Sequence, residues 1–180
     1  MADASLWLFT GLVALVALER LAELAVSARN LRWSRERGAV EFGFGHYVPM
    51  VVLHGGLLAG AVLEVWVRRP DPAALLASVM LALVLLAQIL RWWCVATLGR
   101  QWNTRVIVVP GMSLVRRGPY RWLAHPNYVA VVVEGFALPM VHAAWITAVA
   151  FSLLNAALLT IRIRVENVAL TKLAGDPGAA

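Results

Sequence analysis

The sequence predicts an all-α integral membrane bundle of about five transmembrane helices, ending in a helical hairpin. Three observations predict it. Hydrophobic residues fill 61% of the 180 positions and charged residues 14%, where a soluble domain carries roughly 45–50% and 25%. The excess is gathered into blocks long enough to cross a hydrocarbon core of ~30 Å. The charges between those blocks fall mostly on one side, and every basic residue except Lys172 is an arginine.

The first block runs from about Leu6 to Val26. Met1-Ala2-Asp3 lacks the positive start of a signal peptide, so a retained helix is expected. Glu19, Arg20 and Glu23 fall in its last turns, where opposite charges can pair and long side chains can reach the interface. The second block, about Tyr47 to Val67, ends at the tight polar turn Arg68-Arg69-Pro70-Asp71-Pro72. The third, about Ala73 to Leu98, is the cleanest span. Val129 to Leu138 and Ala143 to Ile161 are separated only by Pro139-Met140-Val141-His142, which predicts an antiparallel hairpin. Its first arm is short for a full crossing, so tilt or partial burial is expected.

Arg29, Arg32, Arg35 and Arg37 follow the first span, and Arg100, Arg105, Arg116, Arg117 and Arg121 follow the third. Arg162, Arg164 and Lys172 lie in the tail, while Arg68 and Arg69 stand alone opposite. The positive-inside rule then puts the N-terminus outside and the C-terminus in the cytoplasm. Residues 1–98 form an N-terminal three-helix part, and residues 99–180 a polar loop, the hairpin and a tail, all in one integrated domain. The net charge of +6 suits anionic lipid headgroups, and nothing calls for a nucleic acid. A lone cysteine, Cys94, excludes an internal disulfide and a multi-cysteine metal site. His46 and His54 share a helix face without a nearby carboxylate, and no metal is assigned.

The most informative stretch is Gly118-Pro119-Tyr120 through His125-Pro126-Asn127-Tyr128, polar and aromatic between apolar runs. It reads as the mouth of an active site. His125-Pro126 opens the fourth helix, because proline suits a first helical position. The helix start suits a ligand carboxylate, and His125 could donate to it or simply cap the helix. Tyr120 and Tyr128 could wall an adenine or a sulfonium, or anchor at the interface. Val106-Ile107-Val108-Val109 reads as extended, either offering free backbone groups to a nucleotide-like ligand or serving as a connector. Glu134, inside the fourth span, is a functional candidate whose rival is pairing with an arginine. Glu166 follows Arg162 by one turn, either as a surface ion pair or facing the mouth. Glu64 with Arg68 has the same spacing and reads as a simple ion pair.

These residues, with Arg162, Glu166 and Leu170 after a helical hairpin, resemble the isoprenylcysteine carboxyl methyltransferase family over about Gln101 to Gly175. Arg37-Gly38-Ala39-Val40-Glu41, Gly45-His46-Tyr47 and Trp102-Asn103-Thr104-Arg105 resemble a bacterial branch associated with type III polyketide synthases. That resemblance implies S-adenosyl-L-methionine as cofactor, without a Rossmann domain, bound in a cytoplasmic cofactor-binding loop. It implies a lipidic acceptor, a long-chain phenol or pyrone, in a bacterial inner membrane, with a polyketide synthase as partner. Its cofactor contacts carry over to Met112, Ser113, Leu114, Val115, Tyr120, His125, Pro126, Asn127, Tyr128 and Glu166. Arg162, Glu166 and His125 take the catalytic positions. Two departures bear on the acceptor: Ala124 stands where the family has arginine, and its paired glutamates appear as Glu166-Asn167.

The implied chemistry aligns acceptor oxygen, methyl carbon and sulfur, which is mainly an orientation task. A phenol, with a pKa near ~10, gains from proton removal or a nearby cation. Arg162 could be that cation, and Glu166 and His125 are both candidate bases. Prenylcysteine carboxyl methylation is the alternative at the level of substrate. An NADPH-dependent sterol-type reductase shares an Asn-Tyr pair, and a non-enzymatic scaffold or transporter would tolerate loss of His125 and Glu166.

Overall fold

The structure, a computed structural model, describes residues 2–174. Five helices account for most of it: α1 (Ala2–Arg35), α2 (Phe44–Arg68), α3 (Ala74–Leu98), α4 (Pro126–Met140) and α5 (Trp145–Ala174). Among the described residues, three stretches are long and apolar enough to cross a membrane, Gly45–Arg68, Ala74–Gln101 and Trp145–Thr171. Their outward faces carry Val52, Leu63, Leu86, Ile89, Leu153 and Leu154, all exposed, as a lipid-facing surface requires. The protein is an integral membrane protein.

The core begins on α1, where Leu6, Phe9, Val13 and Val16 repeat at helical spacing and are all buried. They meet Ala61 and Val65 of α2, Val84 of α3, and Ala137 and Leu138 of α4. α3 packs chiefly on α4, and α5 on both α4 and α2. Small residues allow the approach. A Cβ at Gly135 would collide with the Phe151 ring across the α4–α5 contact. Only 15 residues long, α4 rises ~22 Å, less than a full crossing. Ala130, Val131, Glu134 and Ala137 are buried along it, which accounts for the short arm of the hairpin.

Two expectations are corrected. The first helix does not stop near Val26 but continues to Arg35. Ser27, Asn30 and Ser34 lie at helical spacing and are buried, so this polar extension has a packed face. Glu19, Arg20 and Glu23 do pair, but inside the bundle rather than toward an interface. Arg20 Nη1 lies 2.6 Å from Glu23, and Arg20 Nη2 lies 3.0 Å from Glu134 and from Gln88. Arg91 of α3 closes the cluster at 2.7 Å from Glu134. Glu134 is therefore held structurally by two arginines, the rival reading. The bundle is mostly helical, as expected, with one short two-stranded ribbon beside it. Val40–Phe42 (β1) pairs antiparallel with Val106–Val108 (β2), with Glu41 opposite Ile107.

Glu64 does more than pair with Arg68, which it meets at 2.7 Å. Its carboxylate also accepts the backbone N–H groups of Ile146 at 3.1 Å and Thr147 at 2.8 Å. A side chain of α2 thus caps the start of α5, where open N–H groups favour an anion. The tail beyond residue 174, including Gly175, lies outside the described residues.

Candidate functional site

The long α3–α4 connection is fixed to α1. Asn30 Nδ2 donates to the carbonyls of Gly99 at 3.1 Å and Trp102 at 2.8 Å. Ser27 Oγ takes the Thr104 N–H at 3.0 Å. Arg105, next along, donates to Glu41 of β1 at 2.8 Å and lies over the Tyr47 ring at 4.4 Å. The two short strands then bring the loop across the end of α5. Further on, a turn at Gly118–Arg121 packs on α3, with Trp122 edge-on to Trp93. Gly118 has φ +55 and a Cβ there would strike Thr97, so only glycine suits this close approach.

His125 is the N-cap of α4 and Pro126 its first residue, as the sequence predicts. One turn on, Tyr128 meets α5. Its hydroxyl donates to Glu166 and accepts from Arg162 Nε at 2.8 Å. The guanidinium is held further by the Thr104 carbonyl at 2.6 Å and the Met50 sulfur at 3.3 Å. His125 stacks on the Tyr128 ring at 5.3 Å, with Nδ1 3.5 Å from Glu166 and Nε2 3.1 Å from Asn167 Oδ1. The hydrogen bond to Glu166 is the main cause raising the His125 pKa, with burial opposing it. Burial likewise raises the Tyr120 phenol.

Two cavities meet at this cluster. One, of about 110 Å³, opens at the loop and is lined by Tyr120, His125, Asn127, Tyr128, Arg162 and Glu166 with the strand β2. The other, of about 350 Å³ and mainly apolar, lies between α1 and α2 and is lined by Leu21, Leu24, Val51 and Leu58 among others. Trp102, Asn103, Asn127, Tyr128 and Arg162 line both, so they form the shared wall. In that wall Asn103 Nδ2 and Asn127 Oδ1 are buried without a hydrogen-bond partner. Buried polar groups are nearly always satisfied, so an unpaired donor and an unpaired acceptor here fit a polar ligand.

Of the residues read from sequence, Tyr120, His125, Asn127, Tyr128, Arg162 and Glu166 are brought together. Met112, Ser113 and Leu114 are exposed and Val115 is half-buried, and none of the four lines either cavity. Pro126 is buried in the first turn of α4. Glu134 lines neither cavity. Sequence reasoning missed Ser27, Asn30 and Met50, which hold the loop and Arg162. Only the spacing of Ser27, Asn30 and Ser34 could have signalled a buried polar stripe.

A sequence model described as the isoprenylcysteine carboxyl methyltransferase (ICMT) family matches residues 80–172. The chain is 38% identical over 163 residues to the "Uncharacterized protein YpbQ" of Bacillus subtilis (strain 168), covering 91% of this chain and 96% of that one. It is 21% identical over 155 residues to an "Uncharacterized protein" of Haemophilus influenzae, covering 86% and 90%. No solved structure matches.

Proposed function

Because the chain belongs to the isoprenylcysteine carboxyl methyltransferase family, we propose that it is a membrane methyltransferase moving a methyl group from S-adenosylmethionine to an oxygen of a lipidic acceptor. The acceptor class is a long-chain phenol or pyrone of polyketide origin, supplied by a polyketide synthase. One observation carries this reading: a polar depression and a larger apolar cavity share a wall containing Tyr128 and Arg162. A water-soluble cofactor and a lipid would approach that wall from opposite sides. The arginine-rich loops support a cytoplasmic site, with the N-terminus outside and the protein in a bacterial inner membrane.

The residues of the depression fit the cofactor. Glu166 offers a carboxylate to its cationic end, Tyr120 and Tyr128 offer ring faces, and Asn103 and Asn127 offer the unpaired donor and acceptor. The depression takes only part of a nucleoside, and Met112, Ser113 and Leu114, exposed in the loop, would meet the rest. When bound, the cofactor supplies a sulfonium methyl whose C–S electron pair returns to sulfur as the new O–C bond forms.

The chain's own part is orientation and charge. Arg162, held on three sides, sits where an acceptor oxygen would develop or carry negative charge, and favours phenolate over phenol. A phenol proton would pass to the Tyr128 oxygen while the Tyr128 proton passes to Glu166, a path already hydrogen-bonded. A carboxylate acceptor, as in prenylcysteine methylation, needs the arginine but no proton path.

Calorimetry of S-adenosylmethionine on purified protein in detergent tests the cofactor, with His125→Ala and Glu166→Ala alongside. Binding weakened by both substitutions supports the reading. NADPH binding without S-adenosylmethionine binding would replace it with a reductase. Turnover of a prenylcysteine but of no phenol would keep the chemistry and change the acceptor.

A further inference from the structure

The α2 face lining the apolar cavity presents Tyr47, Met50, Val51, His54 and Leu58, the spacing of one helical stripe. Four of the five are apolar or interfacial. His54 is not, and neither the ion cluster nor the methyl-transfer wall uses it. Its Nδ1 lies 2.8 Å from the Met50 carbonyl oxygen. A carbonyl can only accept, so Nδ1 carries the proton, and Nε2 of the neutral ring is an acceptor. Among the described residues no protein donor reaches Nε2. The ring is steadied by the edge of Phe151 at 5.4 Å and 86°.

Elsewhere in the lining, Asn103 Nδ2 and Asn127 Oδ1 stand unpaired in the wall shared with the smaller cavity. Arg20 and Arg91 are bound to Glu23 and Glu134. On the α2 face of the cavity, His54 Nε2 is an acceptor without a protein donor among the described residues, facing whatever enters between α1 and α2. Its depth follows from the helix. Met50 touches Arg162 through its sulfur, and His54 is one turn further on, a rise of ~6 Å. That is comparable with the separation of two oxygens across a single six-membered ring.

We propose that His54 is a specificity residue, its Nε2 accepting a hydrogen bond from a second hydroxyl of the acceptor, about one helical turn deeper than the oxygen that is methylated. This rests on the methyl-transfer reading above. The ligand class is an amphiphile whose compact head group carries two oxygens, the deeper one protonated, with a hydrocarbon chain against Leu21, Leu24 and Leu58.

The test compares kcat/KM for methyl transfer to three probes: a long-chain meta-alkylphenol, the corresponding alkylresorcinol, and the monomethyl ether of that resorcinol. The ether keeps the second oxygen but cannot donate from it. The wild type is expected to prefer the resorcinol over both others by up to about tenfold, the worth of one neutral hydrogen bond. His54→Phe should bring the three within about twofold, the statistical factor for two equivalent hydroxyls. His54→Gln, whose amide oxygen can accept from the Nε2 position, should restore part of the preference. A purely structural role for His54 would lower all three rates together and leave their ratios unchanged, overturning the proposal. So would equal rates in the wild type, or a preference that survives His54→Phe. Should His54→Phe fail to fold, the wild-type comparison and His54→Gln decide. Methylation of none of the three, with S-adenosylmethionine bound, overturns the phenol reading and this proposal with it. Equal methylation of all three overturns this proposal alone.

Discussion

Arg162 and Glu166 lie one turn apart on α5, yet neither pairs with the other; both turn to the oxygen of Tyr128. An ordinary surface pair at this spacing would neutralise itself. Here the phenol stands between the charges, with the guanidinium in the wall between the two cavities and the carboxylate lining the smaller one.

Tyr128→Phe removes that oxygen and leaves Arg162 with an unsatisfied Nε. Loss of a hydrogen bond to a charged group is worth about 1.5–3 kcal/mol, so kcat should fall about 10–100-fold. The melting temperature should also fall, since the buried Arg162 loses a partner, although the ring still packs against His125. Steady-state kinetics with a melting curve checks both parts.

The His125 pKa is raised in the fold, chiefly by its hydrogen bond to Glu166. Its contribution to stability is therefore complete below the ordinary value of about 6.5 and is lost as pH rises through the raised value. Melting temperatures of wild type and His125→Gln should converge as pH increases and separate as it decreases. Profiles that stay parallel would remove Glu166 as the partner.

Glu134 neutralises Arg20 and Arg91 inside the bundle. Glu134→Ala leaves two buried cations short of a partner and should cost about 3–5 kcal/mol. Glu134→Gln should cost less, because its amide oxygen still accepts. Thermal unfolding in detergent reads the difference. In protein that remains folded, cofactor affinity should be unchanged, since Glu134 lines neither cavity.

Gly135→Ala places a methyl against the Phe151 ring where α4 meets α5. Overpacking of this kind costs about 1–3 kcal/mol. Because Phe151 also steadies His54, Gly135→Ala with Phe151→Leu should recover the melting temperature but not acceptor selectivity.

The helix positions were largely legible because a membrane imposes a length and an apolarity that the sequence displays directly. α3 was placed to within a residue at its start, and the His125-Pro126 start of α4 was read from cap chemistry alone. β1 was not legible, since Val40-Glu41-Phe42 is too short to carry a period and pairs with a strand 66 positions away. The run from Ser27 to Arg35 was read as loop because its arginines were counted and its buried Ser27, Asn30 and Ser34 were not. At the site, His125, Tyr128, Arg162 and Glu166 were named, but a sequence does not say which oxygen lies between which charges. The exposed Met112–Leu114 run came from resemblance, and neither of the two cavities reaches it.

The pairing of β1 with β2 joins two parts of the chain that the family match divides. The family match begins at residue 80, yet Ser27, Asn30, Glu41, Met50 and His54 all precede it. The matched segment carries Tyr128, Arg162 and Glu166, while α1 and α2 bring Ser27, Asn30, Met50 and His54 to them from outside it. Chimeras joining residues 1–79 of one relative to the remainder of another should inherit their taste in lipids from the first parent. They should assemble only where the pairing of Glu41 with Arg105 survives the exchange.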